Sequence, residues 1–460
     1  MKKLIATLLT ITCAMALFSI FAFAETARSS GDFTYEVKGN GTAEITGYSG
    51  EQADIILPNM IDGYTITSIG DLAFYSEDSQ SDAISVTIPD SVVSIGEKAF
   101  WNRNVRSINL PDGLESIGYG AFVGCDECQF RVSANHPYFA VVGGSLYNKA
   151  QKELLWPAEG ATILDGIVSI GDYAFYGRQG GDDIIVIPSS VQSIGNYAFS
   201  EMSYPDMWYD EYLQIPASVT SIGIGAFENF EGSILISAGC QLRSIPDYAF
   251  KNIDSNSFSD VISPASILEN AESIGEEAFS HTGFEIAVSN NVINLRALRN
   301  MGKNAFSSSS ARCVGQQYNN YILSIPGSLA CIPEGAFANF YIPNVDCEIF
   351  NIELQEGTER IEDNAFRSCC VGKLVDITFP STLKYIGAGA FQDNSLTNVY
   401  LPANLEFIDP AAFDEDVTFT VEQGSYAERW ADENARVYSI NGEQSNLDWL
   451  NQLDIALRYF

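Results

Sequence analysis

The sequence predicts a repeat solenoid, mainly β with short turns, and three observations carry that reading. First, the dipeptide Ala-Phe recurs thirteen times downstream of residue 70, with Phe at 74, 100, 122, 175, 199, 227, 250, 279, 306, 337, 366, 391 and 413. Eleven of the twelve intervals fall between 22 and 31 residues. Second, an Ile lies four residues before most of these alanines, usually followed by Gly, as in Ile69-Gly70, Ile95-Gly96, Ile117-Gly118, Ile170-Gly171, Ile194-Gly195, Ile222-Gly223, Ile274-Gly275 and Ile386-Gly387. Third, a short alternating run ending in Pro stands upstream, as in Val86-Thr87-Ile88-Pro89, Ile108-Asn109-Leu110-Pro111 and Val399-Tyr400-Leu401-Pro402. A chain of 460 residues is also too long for one globular core, so several domains or a repeat array is expected.

Each part of the unit has a physical reason. Alternation with period two makes the run a half-buried strand. Pro ends it, because Pro cannot donate to a ladder. A second apolar pair follows, such as Leu114 and Ile117, and Gly118 is read as permitting a tight bend. Small Ala121 then lets backbones approach while Phe122 fills the interior. One such unit cannot bury its apolar face alone, whereas stacked units share a continuous core. The pattern lapses at Ile245-Pro246, Met301-Gly302, Ile332-Pro333, Ile361-Glu362 and Ile408-Asp409, and the strand-Pro signal blurs between about Thr282 and Asp346.

The stretch Val105–Cys125, VRSINLPDGLESIGYGAFVGC, resembles the BspA-like (Treponema pallidum-type) leucine-rich repeat, and the resemblance runs from about residue 32 to 438. It implies a leucine-rich-repeat-like right-handed coil. Asp32 to Gly70 resembles that family's N-terminal β-hairpin cap, and Gly424 to Ala435 its short C-terminal capping helix. Asn135 to Ala158 resembles a β-hairpin inserted in place of a repeat, which accounts for the 53 residues between Phe122 and Phe175. The expected division is residues 1–24 as signal peptide, 25–70 as cap, 71–438 as solenoid with the hairpin at about 126–160, and 439–460 as tail. Leu447 to Tyr459 is read as either a short amphipathic helix or a loose end.

The signal-peptide reading rests on Lys2 and Lys3, the apolar run Leu4 to Phe21 and the small-x-small site Ala22-Phe23-Ala24. Its rival is an uncleaved membrane anchor, because the run approaches spanning length. Thr10-Ile11-Thr12 before Cys13 makes a poor lipidation site. No later stretch could span a bilayer. The formal charge is −35, and cleavage would remove two lysines and no acid. So acidic a chain repels phosphate backbones, which argues against nucleic-acid partners.

Signs of catalysis are sparse. Only two histidines are present: His136, read as a polar turn residue in the hairpin, and His281, which has no acid or nucleophile motif nearby. No G-x-S-x-G, H-E-x-x-H or Walker-type pattern occurs. Cys125-Asp126-Glu127-Cys128 is a lone C-x-x-C, weak for metal because zinc wants four ligands. Cys125 and Cys369 stand three residues after a repeat Phe, where Met202, Phe230, Ile253 and Phe340 also stand, so core packing is the plainer reading. A disulfide is the second reading, and metal or redox use the third. Asp182-Asp183 could offer oxygen ligands to Ca²⁺ or simply be solvated. The expectation is therefore a non-enzyme without cofactor or metal.

Solenoids bind along their strand surface. Periodicity points Ile88, Leu110, Ile187, Ile215, Phe379 and Leu401 inward. It turns outward Ser85 and Thr87, Ser107 and Asn109, Ile184 and Val186, Tyr212 and Gln214, Asp376 and Thr378, Asn398 and Tyr400. The loop SEMSYPDMWYDEY before Leu213 adds Trp208 and Tyr209 among acids. The ligand-contact candidates are thus Ser85, Thr87, Ser107, Asn109, Trp208, Tyr209, Tyr212, Gln214, Thr378 and Tyr400. Against them stands the simpler view that strands favour Thr, Val and Tyr, and that the loop's aromatics fold onto neighbouring coils. The expected function is a secreted or cell-surface binding or adhesion protein, monomeric, contacting an extracellular protein or glycan. The alternatives are a passive structural surface component or an accessory of a secreted degradative system.

Overall fold

The computed structural model describes residues 27–77, 83–160, 162–180, 185–203, 212–253, 267–287, 292–314, 320–342, 349–369 and 374–441. The chain forms two compact units, Met1–Gly181 and Asp182–Phe460. It is a repeat protein built almost wholly from short strands and turns, closed by one C-terminal helix.

Within the first unit, successive coils are joined by three backbone ladders. The alternating runs supply one: Asp54–Ile56, Ile84–Thr87, Val105–Leu110 and Gln129–Val132 pair in parallel. The pair before each Gly supplies a second, with Ser68-Ile69, Ser94-Ile95 and Ser116-Ile117 aligned residue for residue. The Ala-Phe turn supplies the third: the N–H groups of Lys98, Phe100 and Asn102 donate to the carbonyls of Tyr119, Ala121 and Val123 at 3.0, 2.8 and 2.8 Å. Trp101 and Arg103 bond back to Lys98 and Phe100 in their own coil. This alternation is possible because Lys98 and Asn102, flanking Ala99-Phe100, are both left-handed, with φ of 52° and 55°. Tyr248 and Asn252 repeat that geometry in the second unit. A non-Gly residue held there costs on the order of 1 kcal/mol or more, which the saturated ladder offsets.

The reading of Gly118 as a bend is corrected by the structure. Neither Gly96 nor Gly118 has a positive φ. Instead, an ideal Cβ on Gly118 would lie 2.5 Å from the Gly96 carbonyl carbon and the Glu97 nitrogen, and one on Gly96 would lie 2.6 Å from the corresponding atoms of Gly70 and Asp71. The glycines are there for close approach of stacked backbones. Where a coil lacks Gly, the next one supplies it: Gly275 abuts Pro246, and Gly387 abuts Glu362. The neighbouring acid also serves the stack, since Asp71, Asp247 and Asp363 each accept a backbone N–H from the following coil at 2.7 to 2.8 Å.

All thirteen Ala-Phe pairs are buried. In the second unit, Phe199, Phe227, Phe250, Phe279, Phe306, Phe337, Phe366, Phe391 and Phe413 form one file of rings, each 5.1 to 5.5 Å from the next and nearly parallel. There the run ladder comprises Val292–Asn294, Asn320–Ile325, Ile349–Leu354 and Leu374–Thr378. The short ladder comprises Cys331–Ile332, Arg360–Ile361, Tyr385–Ile386 and Phe407–Ile408. Where the strand-Pro signal blurs, an extra parallel pair, Gly283–Ala287 with Ser310–Val314, joins the coils. One expected strand is absent: residues 185–187 adopt no strand, although Val186 still faces out and Ile187 in.

The ends are closed by different means. At the N-terminus, Ala27–Ser30, Phe33–Lys38 and Thr42–Tyr48 form an antiparallel meander whose last strand pairs in parallel with Tyr64–Ile69. At the C-terminus, Ser425 caps the helix Tyr426–Glu433, and Glu428 bonds back to the Gly424 N–H. Trp430 stands edge-on to Phe419, which stands edge-on to Phe413, so the helix finishes the ring file. The Arg436 guanidinium donates to the carbonyls of Pro410, Phe413 and Asp414 in the last coil.

Two substitutions test these roles. Phe250→Ala should lower stability by about 3–5 kcal/mol, with hydrogen exchange rising chiefly in the coils around residues 227 and 279. Gly96→Ala should cost about 1–3 kcal/mol by forcing the stacked backbones apart; denaturant midpoints check both, and a neutral Gly96→Ala would rule out the close-approach account.

Candidate ligand-contact surface

The outward rows of the first unit follow from strand register. Asp54, Ser85, Ser107 and Gln129 are cross-strand neighbours, and so are Ile56, Thr87, Asn109 and Arg131. Thr87 and Asn109 are exposed, whereas Ser85 and Ser107 are half-buried. Four candidates thus meet on one sheet. The others are dispersed over separate sheets of the second unit. Gln214 lies on Leu213–Ile215 and donates to Ser237 Oγ at 2.9 Å, with Tyr212 immediately before that strand and 41% exposed. Thr378 is exposed opposite Glu353. Tyr400 is 42% exposed but its hydroxyl donates to Glu422 at 2.9 Å, so its ring rather than its oxygen is available. Trp208 and Tyr209, like Asp182 and Asp183, lie outside the described residues.

A second row, exposed at Cys331, Arg360 and Phe407 and half-buried at Tyr385, escaped the sequence reading. The residue before Ile in the short strands is Ser in coil after coil, then becomes Cys331, Arg360, Tyr385 and Phe407 in four consecutive rungs. The Arg360 guanidinium lies 3.9 Å over the Tyr385 ring, which stacks on Phe407 at 4.9 Å. Alignment of the Ser-Ile pairs would have shown the change, but two-residue strands give no periodicity to prompt it.

Residues 54–138, 157–259, 251–342 and 344–420 match the family model described as the BspA type leucine rich repeat region (6 copies). The chain belongs to the BspA-type leucine-rich repeat family. It is similar to a leucine-rich cell surface protein of Faecalibacterium prausnitzii (20% identity, 92% of this chain and 97% of that one, TM-score 0.34). It is also similar to a leucine-rich repeat protein of Bacteroides ovatus (21% identity, 86% and 100% covered, TM-score 0.29). A further likeness is to the leucine-rich repeat protein of T. pallidum (19% identity, 61% and 87% covered, TM-score 0.22). No curated protein matches the chain.

The remaining chemistry-bearing side chains are absorbed by the BspA-type coil. Cys125, Met202, Phe230, Ile253, Phe340 and Cys369 are all buried at the same repeat position. The Cys125 thiol meets the carbonyls of Phe100 and Arg103 at 3.4 and 3.1 Å. Burial raises it well above the ordinary thiol value, and burial pushes Cys128 up to about 12. His136 does sit in a turn, but it is a buried residue and not a surface one: it is 1% exposed. Its Nε2 is 2.9 Å from the Pro111 carbonyl, and its Nδ1 accepts from the Tyr138 and Phe139 N–H groups, which requires the proton on Nε2. The ring thereby ties the hairpin to the preceding coil. His281 is exposed beside Ser280 Oγ at 2.9 Å. Among the described residues no three His, Cys, Asp or Glu converge as metal ligands.

Thiol chemistry checks this placement. Exposed Cys331 should react with an aromatic disulfide in the native state, whereas Cys125 and Cys128 should react only on unfolding. Because the unfolded thiol ionises near 9 and folded Cys128 only near 12, the unfolded state sheds its proton first. Stability contributed by this site is therefore present below pH 9 and falls as pH rises above it. Urea midpoints at pH 8 and pH 10 should fall less in Cys128→Ala than in the parent; rapid native labelling of Cys128 would contradict the burial.

Proposed function

We propose that this chain is an exported, non-catalytic binding protein that contacts a protein or glycan through the outward rows of its run strands. The single observation behind this is the adjacency, fixed by register, of Ser85 with Ser107 and of Thr87 with Asn109. These side chains are uncharged hydrogen-bonding groups on a rigid ladder, so little order is lost when a ligand docks. In an otherwise strongly acidic chain, such rows favour contacts that do not depend on charge. Export rests on the basic-apolar-small pattern of residues 1–24. No helix among the described residues is long and apolar enough to cross a membrane.

The test begins with pull-down of the chain lacking residues 1–24 against matrix proteins, mucin and bacterial envelope material. Binding of whatever is retained is then measured for Thr87→Ala/Asn109→Ala, Tyr212→Ala, Trp208→Ala and Tyr400→Ala, each with an unchanged melting curve. At least one should weaken binding by about 2 kcal/mol, roughly thirtyfold. Normal binding by all four, with loss on Tyr385→Ala or Phe407→Ala, would move the contact surface to the short-strand row.

A further inference from the structure

The inserted hairpin leaves a gap in the backbone ladder of the first unit. The preceding Ala-Phe turns donate toward the next coil, as Phe74 does and as Lys98, Phe100 and Asn102 do. The equivalent donors one coil later are the N–H groups of Gly120, Phe122 and Gly124. There the next coil is replaced by the meander Phe139–Val142, Ser145–Asn148 and Glu153–Trp156. Among the described residues, these three N–H groups have no acceptor from the chain.

The side-chain core, by contrast, is closed across the same place. Phe130 stands edge-on to Phe122 at 4.9 Å, and Trp156 edge-on to Phe130 at 5.1 Å. The insertion thus replaces the missing coil's ring but not its backbone. What results is a cleft of about 190 Å³ between Ile117–Val123 and the side formed by Glu153, Leu155, Trp156, Asp172 and Tyr173. Trp156 is itself 4% exposed, and its indole Nε1–H is buried without a partner. The Trp101, Tyr119 and Tyr173 rings pack together at the rim, with the Lys98 ammonium over Trp101 and Tyr173.

We propose that this cleft seats a short peptide of a partner protein, its carbonyls taken by the Gly120, Phe122 and Gly124 N–H groups and a Lys or Arg of the peptide placed at Glu153 and Asp172. The three donors stand on alternate residues of a turn in which Gly120 and Gly124 are left-handed, with φ of 63° and 78°. One coil earlier the same three positions are met by alternate carbonyls of a single neighbouring segment, Tyr119, Ala121 and Val123. A peptide offering alternate carbonyls would take the place of the missing coil at this open ladder, as backbone addition does at other unpaired edges. The two carboxylates supply the charge preference. Glu153 is half-buried against Gly171 and is held above the ordinary carboxylate range by burial and by the charge of Asp172. A cation there relieves both. The size of the cleft limits the motif to a few residues. This site is separate from the run-strand rows and does not depend on them.

The experiment screens the chain lacking residues 1–24 against a random hexapeptide library, then follows a fluorescein-labelled hit and its Lys-or-Arg→Glu counterpart. The cationic peptide should bind at least about tenfold more tightly than its acidic counterpart. Glu153→Gln and Asp172→Asn, each with a native melting curve, should erase most of that difference. Bound peptide should slow hydrogen exchange over residues 117–125, while Thr87→Ala/Asn109→Ala leaves binding intact. The proposal fails if the library yields no cationic hit, if exchange over 117–125 is unmoved, or if a neutral oligosaccharide panel protects that segment and peptides do not.

Discussion

The distance between successive coils is the constraint on which the rest depends. Parallel strands hydrogen-bond at about 4.7–4.9 Å, and three ladders per coil impose that rise around the turn. Rings filed at 5.1 to 5.5 Å tilt only slightly to match it in the second unit. No side chain larger than hydrogen fits where Gly118 meets Gly96, and Ala beside Phe keeps the adjoining turn thin. Gly, Ala and Phe are therefore one device: two residues that admit the neighbour and one that fills the interior behind them.

The periodic part of this device was legible in the sequence, because a spacing of 22 to 31 residues repeated so often needs no further context. Inward and outward alternation was legible for the same reason, down to Val186 and Ile187 at a place without a strand. What escaped was whatever has no period of its own. A two-residue strand such as Ser116-Ile117 is too short to alternate, so the second ladder and its Arg360, Tyr385 and Phe407 row were not seen. The glycines were recognised but assigned to bending, since sequence does not distinguish unusual φ from close approach. His136 was placed in its turn but not inside the protein, because burial there depends on the Pro111 carbonyl 25 residues upstream.

Charge follows the same geometry on a smaller scale. Despite a formal net charge of −35, the lysines are placed to bridge coils: Lys251 reaches both Glu228 and Glu277, and Lys303 reaches Glu334. Burial holds Glu228 above the ordinary carboxylate range, with Lys251 opposing that effect. Exposed pairs such as Lys303–Glu334 contribute little each, typically under about 1 kcal/mol, and less as salt rises. Their use is to relieve repulsion between like-charged rungs that the backbone has already brought together.

Arg436 has a consequence beyond the helix it follows. A stack of identical turns is in principle endless, because every coil presents the complement of the coil before it. The last rung of such a stack could serve as a template for another molecule, as unpaired strand edges do. The strand Tyr438–Ile440 already fills the edge of Thr418–Val421, and Arg436, by holding the carbonyls of Pro410, Phe413 and Asp414, keeps that strand and the helix before it seated on the last coil; together they act as a chain stopper in the polymer sense. The number of coils is then a property of the molecule and not of its concentration.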